Sequence, residues 1–286
     1  MYKIAILGCE NSHADSYLDF IVKDKIYTDI EVLGIYSDEE DANKRLSEKY
    51  GVPVMKSYDE LVGKVDGIVI TARHGDNHYK YAKPYMESGI PMYIDKPITV
   101  SEEDAIAFKA DLIKHNIRVC GGSILKFPKE IKEFKKNVQE ETYGKVFGGF
   151  ARAPVYMKNA YGNFFFYAQH LVQTVGEIFG YFPNSVKAYV NGDIITCVAR
   201  YDQYDVCMTF TEGNYKYIAG INCAECAIVK ELDLDDCFQL EFKTFYDILI
   251  GKEQEQSYDE FFAPVFFLNA IDRSIKSGKE EIVARG

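Results

Sequence analysis

An acid, a lysine and a proline stand together at Asp95-Lys96-Pro97. They follow Met92-Tyr93-Ile94, which reads as a short buried strand after the helix stop and turn Glu87-Ser88-Gly89-Ile90-Pro91. In an open parallel sheet the carboxyl ends of strands are where ligands lie. A lysine there serves as a fixed cation or, where burial or a neighbouring positive charge lowers its pKa, as a proton donor and acceptor. Pro97 fixes the chain direction, and X-Pro is the one bond type at which cis is at all common. Taken alone, the trio equally describes a solvated ion pair at an ordinary strand end. The elements around it decide between the two.

Tyr2 to Gly8 reads as a buried strand ending at a glycine, and a helical pattern follows from Ala14 to about Val22. Strand, tight turn and helix open a dinucleotide-binding unit, in which N–H groups at the helix start hold a pyrophosphate. The G-x-G-x-x-G of such a turn is degraded here: Gly8 remains, while Glu10 and His13 occupy the second and third glycine positions. A carboxylate at Glu10 repels a pyrophosphate unless it points away. Asn11 and Ser12 line the cofactor turn or simply cap the helix. The next strand, Ile30 to Tyr36, ends in Ser37-Asp38, where an acid takes the ribose hydroxyls and disfavours a 2′-phosphate. Asp38 thus favours NAD over NADP, with Lys44 and Arg45 arguing the other way.

A helix is expected from Asp41 to Tyr50, a linker strand near Val54-Met55 and a short helix at Tyr58 to Val62. The apolar strand Val65 to Thr71 leaves through Thr71-Ala72-Arg73-His74, four candidate cofactor contacts, and the turn Gly75 to His78 starts a helix from Tyr79 to Ser88. His74 and His78 read equally well as turn and cap residues. Ser101 caps a helix running to about His115, and Arg118 to Ser123 is a further strand. Strand and helix alternate throughout, which predicts a doubly wound parallel sheet.

From Lys145 the pattern changes. Lys145 to Pro154 alternates as a strand, and Tyr167 to Phe179 forms a helix carrying His170. Val186 to Val190, Ile194 to Tyr201, Val206 to Thr211 and Tyr215 to Ile221 then read as strands joined by polar turns, a largely antiparallel sheet. Leu234 to Ile250 and Tyr258 to Ser277 read as helices, the last stopped by Gly278. The predicted organisation is a Rossmann-like domain over residues 1–122 and an α+β domain with a large, open, mostly antiparallel sheet over 123–286.

Composition bounds the function. With 286 residues, 47% apolar and 27% charged, the chain has ample material for one large or two medium domains. A net charge of −11 argues against a nucleic-acid partner. No apolar run is long enough to span a bilayer, and Met1-Tyr2-Lys3 runs straight into a strand pattern, so a cytoplasmic protein with no membrane partner is expected. Seven scattered cysteines fit a reducing compartment. Cys223-Ala224-Glu225-Cys226 has no second cysteine or histidine pair at zinc spacing, so no metal is expected.

In series, several stretches resemble the glucose–fructose oxidoreductase / inositol dehydrogenase / MocA family (Gfo/Idh/MocA). They are Asp66 to Thr71 with His78 downstream, Ser88-Gly89 to Pro97, Leu125 to Pro128, Tyr143 to Val146, and Ala270 to Lys279. Asp95-Lys96-Pro97 stands where the family usually shows Glu-Lys-Pro. The resemblance implies an NAD(P)-dependent oxidoreductase in which Lys96 lies beside the nicotinamide and the reacting substrate carbon, so Asp95 and Lys96 join the cofactor contacts. It implies a sugar, cyclitol or related small metabolite as substrate. Many members pair the lysine with an aspartate and a histidine four residues apart; here His170 matches the histidine, and Phe166 stands at the aspartate's place. His170 is therefore the second catalytic candidate, with Ser123, Tyr156, Tyr161 and Tyr167 as candidate substrate contacts. The resemblance also implies a homodimer or homotetramer assembled through the C-terminal sheet. A cofactor-binding member without turnover, acting as sensor or scaffold, is the alternative.

Overall fold

The computed structural model describes all residues, Met1 to Gly286. The chain divides into two compact units, Met1–Gly122 with Phe238–Tyr258, and Ser123–Cys237 with Asp259–Gly286.

The first unit holds a five-stranded parallel sheet. Its elements are β1 (Tyr2–Leu7), α1 (Ser12–Leu18), β2 (Ile30–Tyr36), α2 (Glu40–Tyr50), β3 (Gly67–Ile70), α3 (Asp76–Ala82), β4 (Met92–Asp95), α4 (Glu102–Lys114) and β5 (Val119–Gly122). The strand order is β2-β1-β3-β4-β5, so the order reverses at β1 and leaves a crevice above the strand tips. Strands β3, β4 and β5 are buried along their whole length, which is why they read as unbroken apolar runs. Two glycines allow the tips to close up. Gly8 has φ +79°, and a β-carbon on it would sit 2.2 Å from the Ala72 nitrogen; at Gly121, φ +122°, it would meet the Ile94 carbonyl oxygen at 2.0 Å.

Local departures from expectation have chemical causes. Pro84 lacks the N–H that an α-helix needs, and the predicted helix to Ser88 becomes α3 followed by a 3-10 turn over Lys83–Ser88. The predicted strand near Val54-Met55 is a single bridge to Ile35, and Tyr58 to Val62 forms turns rather than a helix.

The larger difference concerns Phe238–Tyr258, assigned from sequence to the second domain. The helix Cys237–Leu249 packs instead in the first unit, where Phe242, Phe245, Ile248 and Leu249 share a core with Ile4, Ile6, Tyr17 and Tyr93. Its tail seals the sheet edge: Gln254 Oε1 accepts the Val119 N–H at 3.0 Å, and the Tyr258 hydroxyl donates to the Ile117 carbonyl at 2.7 Å.

The second unit contains α5 (Lys129–Gln139), β6 (Val146–Pro154), α6 (Phe164–Phe179), β7 (Ser185–Asn191), β8 (Ile194–Arg200), β9 (Asp205–Thr211), β10 (Ile218–Cys223), β11 (Ala227–Glu231), α7 (Tyr258–Ser277) and β12 (Glu280–Ile282). Its seven strands run in the order β11-β10-β6-β9-β8-β7-β12, antiparallel except for the β6–β9 pair. Strands β8 and β9 alternate buried and more exposed positions, so one face is covered. The other face leaves Phe147, Tyr189 and Val229 more than half exposed. Helix α5 and strands β11 and β12 were not read from the sequence. No helix is long and apolar enough to cross a membrane.

Candidate functional site

The carboxyl ends of β1 to β4 bring together the predicted cofactor turn, Ser37-Asp38, Thr71 to His74 and Asp95-Lys96. The charged groups are largely withdrawn from water. Lys96 is only 4% exposed, and its peptide bond to Pro97 is cis. Asp95 is fully buried: Oδ1 accepts the Lys96 N–H at 2.7 Å and Oδ2 accepts from Asn11 Nδ2 at 2.8 Å. Burial pushes the Asp95 carboxyl above its ordinary value, against the opposing charges of His13 and Lys96.

Glu10, at the second glycine position, does point away. Its Oε2 accepts from the Ser37 hydroxyl at 2.6 Å and its Oε1 from the Arg73 N–H at 2.9 Å, so one buried carboxylate ties the tip of β2 to that of β3. Asp38 stays half exposed at the end of β2, gripped by the hydroxyls of Tyr36 at 2.7 Å and Tyr81 at 2.8 Å. Partial burial works against its charge, but these bonds and Lys80 prevail and hold the carboxyl below its usual value. Arg45 is paired with Asp15 through contacts of 2.8 and 2.9 Å.

Other expected contacts face inward. Thr71 is fully buried and donates to the Gly8 carbonyl at 3.0 Å. Asn11 caps α1 by accepting the His13 N–H. His13 is buried, with Nδ1 3.3 Å from Asp95 Oδ2 and 3.4 Å from Glu241 Oε2. His78 is fully buried, with Nε2 2.7 Å from the Ala72 carbonyl and Nδ1 3.2 Å from that of Ile98. Burial lowers its pKa to about 4. It fastens the exits of β3 and β4 from inside the unit, so it is not the solvated turn or cap residue that one reading of the sequence offered. His74 accepts the Asp76 N–H at 3.3 Å as a turn residue. Ser12 remains exposed at the start of α1, and Arg73 and His74 are partly exposed. Glu241 belongs to this corner as well; sequence reasoning missed it, because only the fold carries it back across the chain.

In the second unit, His170 on α6 is buried, and its Nδ1 lies 2.6 Å from the Ser123 hydroxyl, which fixes the ring. Tyr167 stands edge-on to it at 4.6 Å between ring centroids. Phe166 packs with Tyr156 at 6.2 Å, Tyr161 at 5.2 Å and Tyr167 at 5.9 Å. The four candidate tyrosine and serine contacts thus gather around His170 and Phe166 within this unit. Burial raises the hydroxyl pKa of both Tyr156 and Tyr217, so these phenols remain neutral donors at neutral pH. Cys223 to Cys226 form a tight turn, closed by the bond from the Cys223 N–H to the Cys226 carbonyl at 2.8 Å.

Two outcomes follow. Between an unfolded value near 6.5 and the folded value of about 4, the unfolded chain takes up a proton at His78 that the folded chain refuses. Stability from this group is therefore complete above about pH 6.5 and lost as pH falls toward 4. Asp95, whose pKa is raised, contributes with the opposite sign. The comparison with His78→Gln isolates the histidine: urea denaturation across this range should show a shallower acid loss in the variant, and an unchanged slope refutes the assignment. For Glu10, titration with NADH should show Glu10→Gln binding several-fold tighter, since one negative charge near a phosphate costs about 1 kcal/mol even in water. Unchanged or weaker binding would show that the carboxylate does not oppose the phosphates.

Residues 2–122 match the oxidoreductase family with an NAD-binding Rossmann fold, GFO_IDH_MocA. A comparison with curated proteins finds no match. Among solved structures, the chain is similar to scyllo-inositol dehydrogenase from Lactobacillus casei with bound NAD(H) and scyllo-inositol, with a TM-score of 0.85, 13% identity and 99% of each chain covered. It is similar to myo-inositol 2-dehydrogenase from Lactobacillus plantarum, with a TM-score of 0.85, 12% identity and 99% of each chain covered. A third is the WlbA dehydrogenase from Chromobacterium violaceum in complex with NADH and UDP-GlcNAcA, with a TM-score of 0.83, 14% identity, and 99% of this chain and 96% of that one covered. At such identities the likeness is one of fold. Residues 2–122 therefore match the model of the GFO_IDH_MocA oxidoreductase family with its NAD-binding Rossmann fold, and the whole chain shares the fold of these solved dehydrogenases.

Proposed function

We propose that the chain is an NAD(P)-dependent oxidoreductase that moves a hydride between a nicotinamide and a carbinol or carbonyl carbon of a sugar, cyclitol or related small metabolite. The observation that carries this reading is Lys96, a residue only 4% exposed at the tip of β4, in a unit whose sequence matches an NAD-binding family.

The residues present suit a dinucleotide. Asp38 offers a half-exposed carboxylate to ribose hydroxyls, Ser12 an exposed hydroxyl at a helix start, and Arg73 a cation for phosphate. Glu10 is the exception, and two internal donors hold it. The acid at Asp38 and the pairing of Arg45 with Asp15 favour NAD over its 2′-phosphorylated form. When bound, the nicotinamide supplies the hydride donor or acceptor. The chain's own task is to hold the substrate carbon and manage the hydroxyl proton. Lys96 binds the substrate oxygen and takes or returns its proton, and His170, its ring fixed by Ser123, is the second acid–base group. Tyr156, Tyr161 and Tyr167 offer rings and hydroxyls to a substrate.

A second reading, nucleotide binding without turnover, is favoured by Phe166, which can neither accept a proton nor bind a hydroxyl where the resemblance expects an aspartate. A screen of polyols and keto-sugars with NAD(H), with Lys96→Ala as control, separates the two. The enzyme reading expects turnover that falls at least about 100-fold in the variant while NADH binding persists, the scale of a lost general acid–base group. Turnover surviving in the variant refutes the role of Lys96, and binding without any turnover supports the second reading.

The reading includes a homodimer or homotetramer, supported by the large apolar side chains exposed on the open sheet face. Light scattering should return two or four times the 32.6 kDa of one chain, and a monomer at micromolar concentration rejects this part.

A further inference from the structure

His13, Asp95 and Glu241 converge in the first unit, all at least nine-tenths buried. We propose that these three side chains form a binding site for one divalent transition-metal ion, with zinc the best match. It serves to fasten the returning helix Cys237–Leu249 to the start of α1 and the end of β4. This inference does not depend on the redox reading.

The first argument is geometric. His13 Nδ1 lies 3.3 Å from Asp95 Oδ2 and 3.4 Å from Glu241 Oε2, yet it makes no hydrogen bond to either. Bonds of about 2.0–2.1 Å meeting at a tetrahedral angle place neighbouring ligand atoms roughly 3.3–3.4 Å apart, the spacing zinc takes with imidazole and carboxylate. All three ligand atoms lie within 4.8 Å of one another, close enough for one ion to gather them with a small side-chain adjustment.

The second argument comes from atoms without partners. Besides His13 Nδ1, the buried Glu241 Oε1 has no hydrogen-bond partner. A buried carboxylate oxygen left in that state is costly, and a metal ion held by both oxygens would satisfy it.

The third argument is the surrounding shell. Asp95 Oδ2 accepts from Asn11 Nδ2 at 2.8 Å, and Glu241 Oε2 accepts from the Tyr17 hydroxyl at 2.6 Å. The Tyr93 hydroxyl lies 2.8 Å from that of Tyr17. Ligating carboxylates are usually oriented by such outer hydrogen bonds. The donor set, one imidazole and two carboxylates without thiolate, suits zinc or manganese better than calcium or copper(I). Ligands at positions 13, 95 and 241 show no sequence spacing, so no zinc motif announces them.

The test uses the full chain, stripped with a chelator and titrated with Zn²⁺ and with Mn²⁺ against a chromophoric competitor, with metal content read by mass spectrometry. One equivalent of zinc per chain should bind and raise the melting temperature. His13→Ala and Glu241→Gln should each weaken binding by about 100-fold or more, at or above the top of the roughly 10–100-fold loss usual for an outer-shell partner. The Glu241→Gln amide still accepts from Tyr17, which protects the fold. A Cys223→Ser/Cys226→Ser double variant, in which two of the seven thiols are removed, should bind as the parent does. No binding tighter than about micromolar by the parent chain overturns the proposal. Binding that survives Glu241→Gln in a folded protein, or that is lost with the two cysteines, overturns it as well.

Discussion

Charge removed from water at the tips of the parallel strands is the constraint on which the rest of the first unit depends. Asp95, Lys96, Glu10, His13 and Glu241 are all at most 9% exposed there, and an ionised group in such a place survives only when paired or hydrogen-bonded. The chain meets this demand with short reaches between neighbouring tips: Glu10 joins Ser37 to Arg73, Asn11 reaches Asp95, and Tyr17 holds Glu241. The close approach of β1 to β3 that makes those reaches possible requires a residue without a side chain at Gly8. Geometry of the backbone and satisfaction of the charges are therefore one problem.

Much of the parallel sheet was legible, because a strand buried on both faces must be apolar and must leave through polar residues. Thr71 to His74 were singled out by that exit signal, and Asp95-Lys96 by its place at a strand end together with the family resemblance. Helix α5 was not, since its sequence, Lys129 to Gln139, is dominated by charged residues and buries only a narrow stripe at Ile131, Phe134 and their neighbours. The helix Cys237–Leu249 was read as a helix, but an apolar face does not say which core it joins. Direction of side chains was the other blind spot. Glu10 and His13 were seen as defects in a glycine pattern, whereas their inward partners, Ser37 and Glu241, are settled only by tertiary packing.

The second unit poses the opposite balance. Around His170 the neighbours are rings and phenols rather than ions: Tyr167 edge-on, Tyr217 at 6.1 Å, and Phe166 among three tyrosines. Such surroundings offer hydrogen bonds through phenol hydroxyls, together with apolar ring faces. Phe166 brings a ring face to this group and no atom able to take a proton.

The return of Phe238–Tyr258 also has a consequence for biosynthesis. Residues 1–122 leave the ribosome without Phe242, Phe245 and Ile248, which fill their core, and without Gln254, which closes the edge of β5. The parallel-sheet unit is thus completed only after more than a hundred residues of the other unit have emerged. Until then its nascent sheet exposes an apolar flank and an open strand edge, a surface for chaperones to shield during elongation.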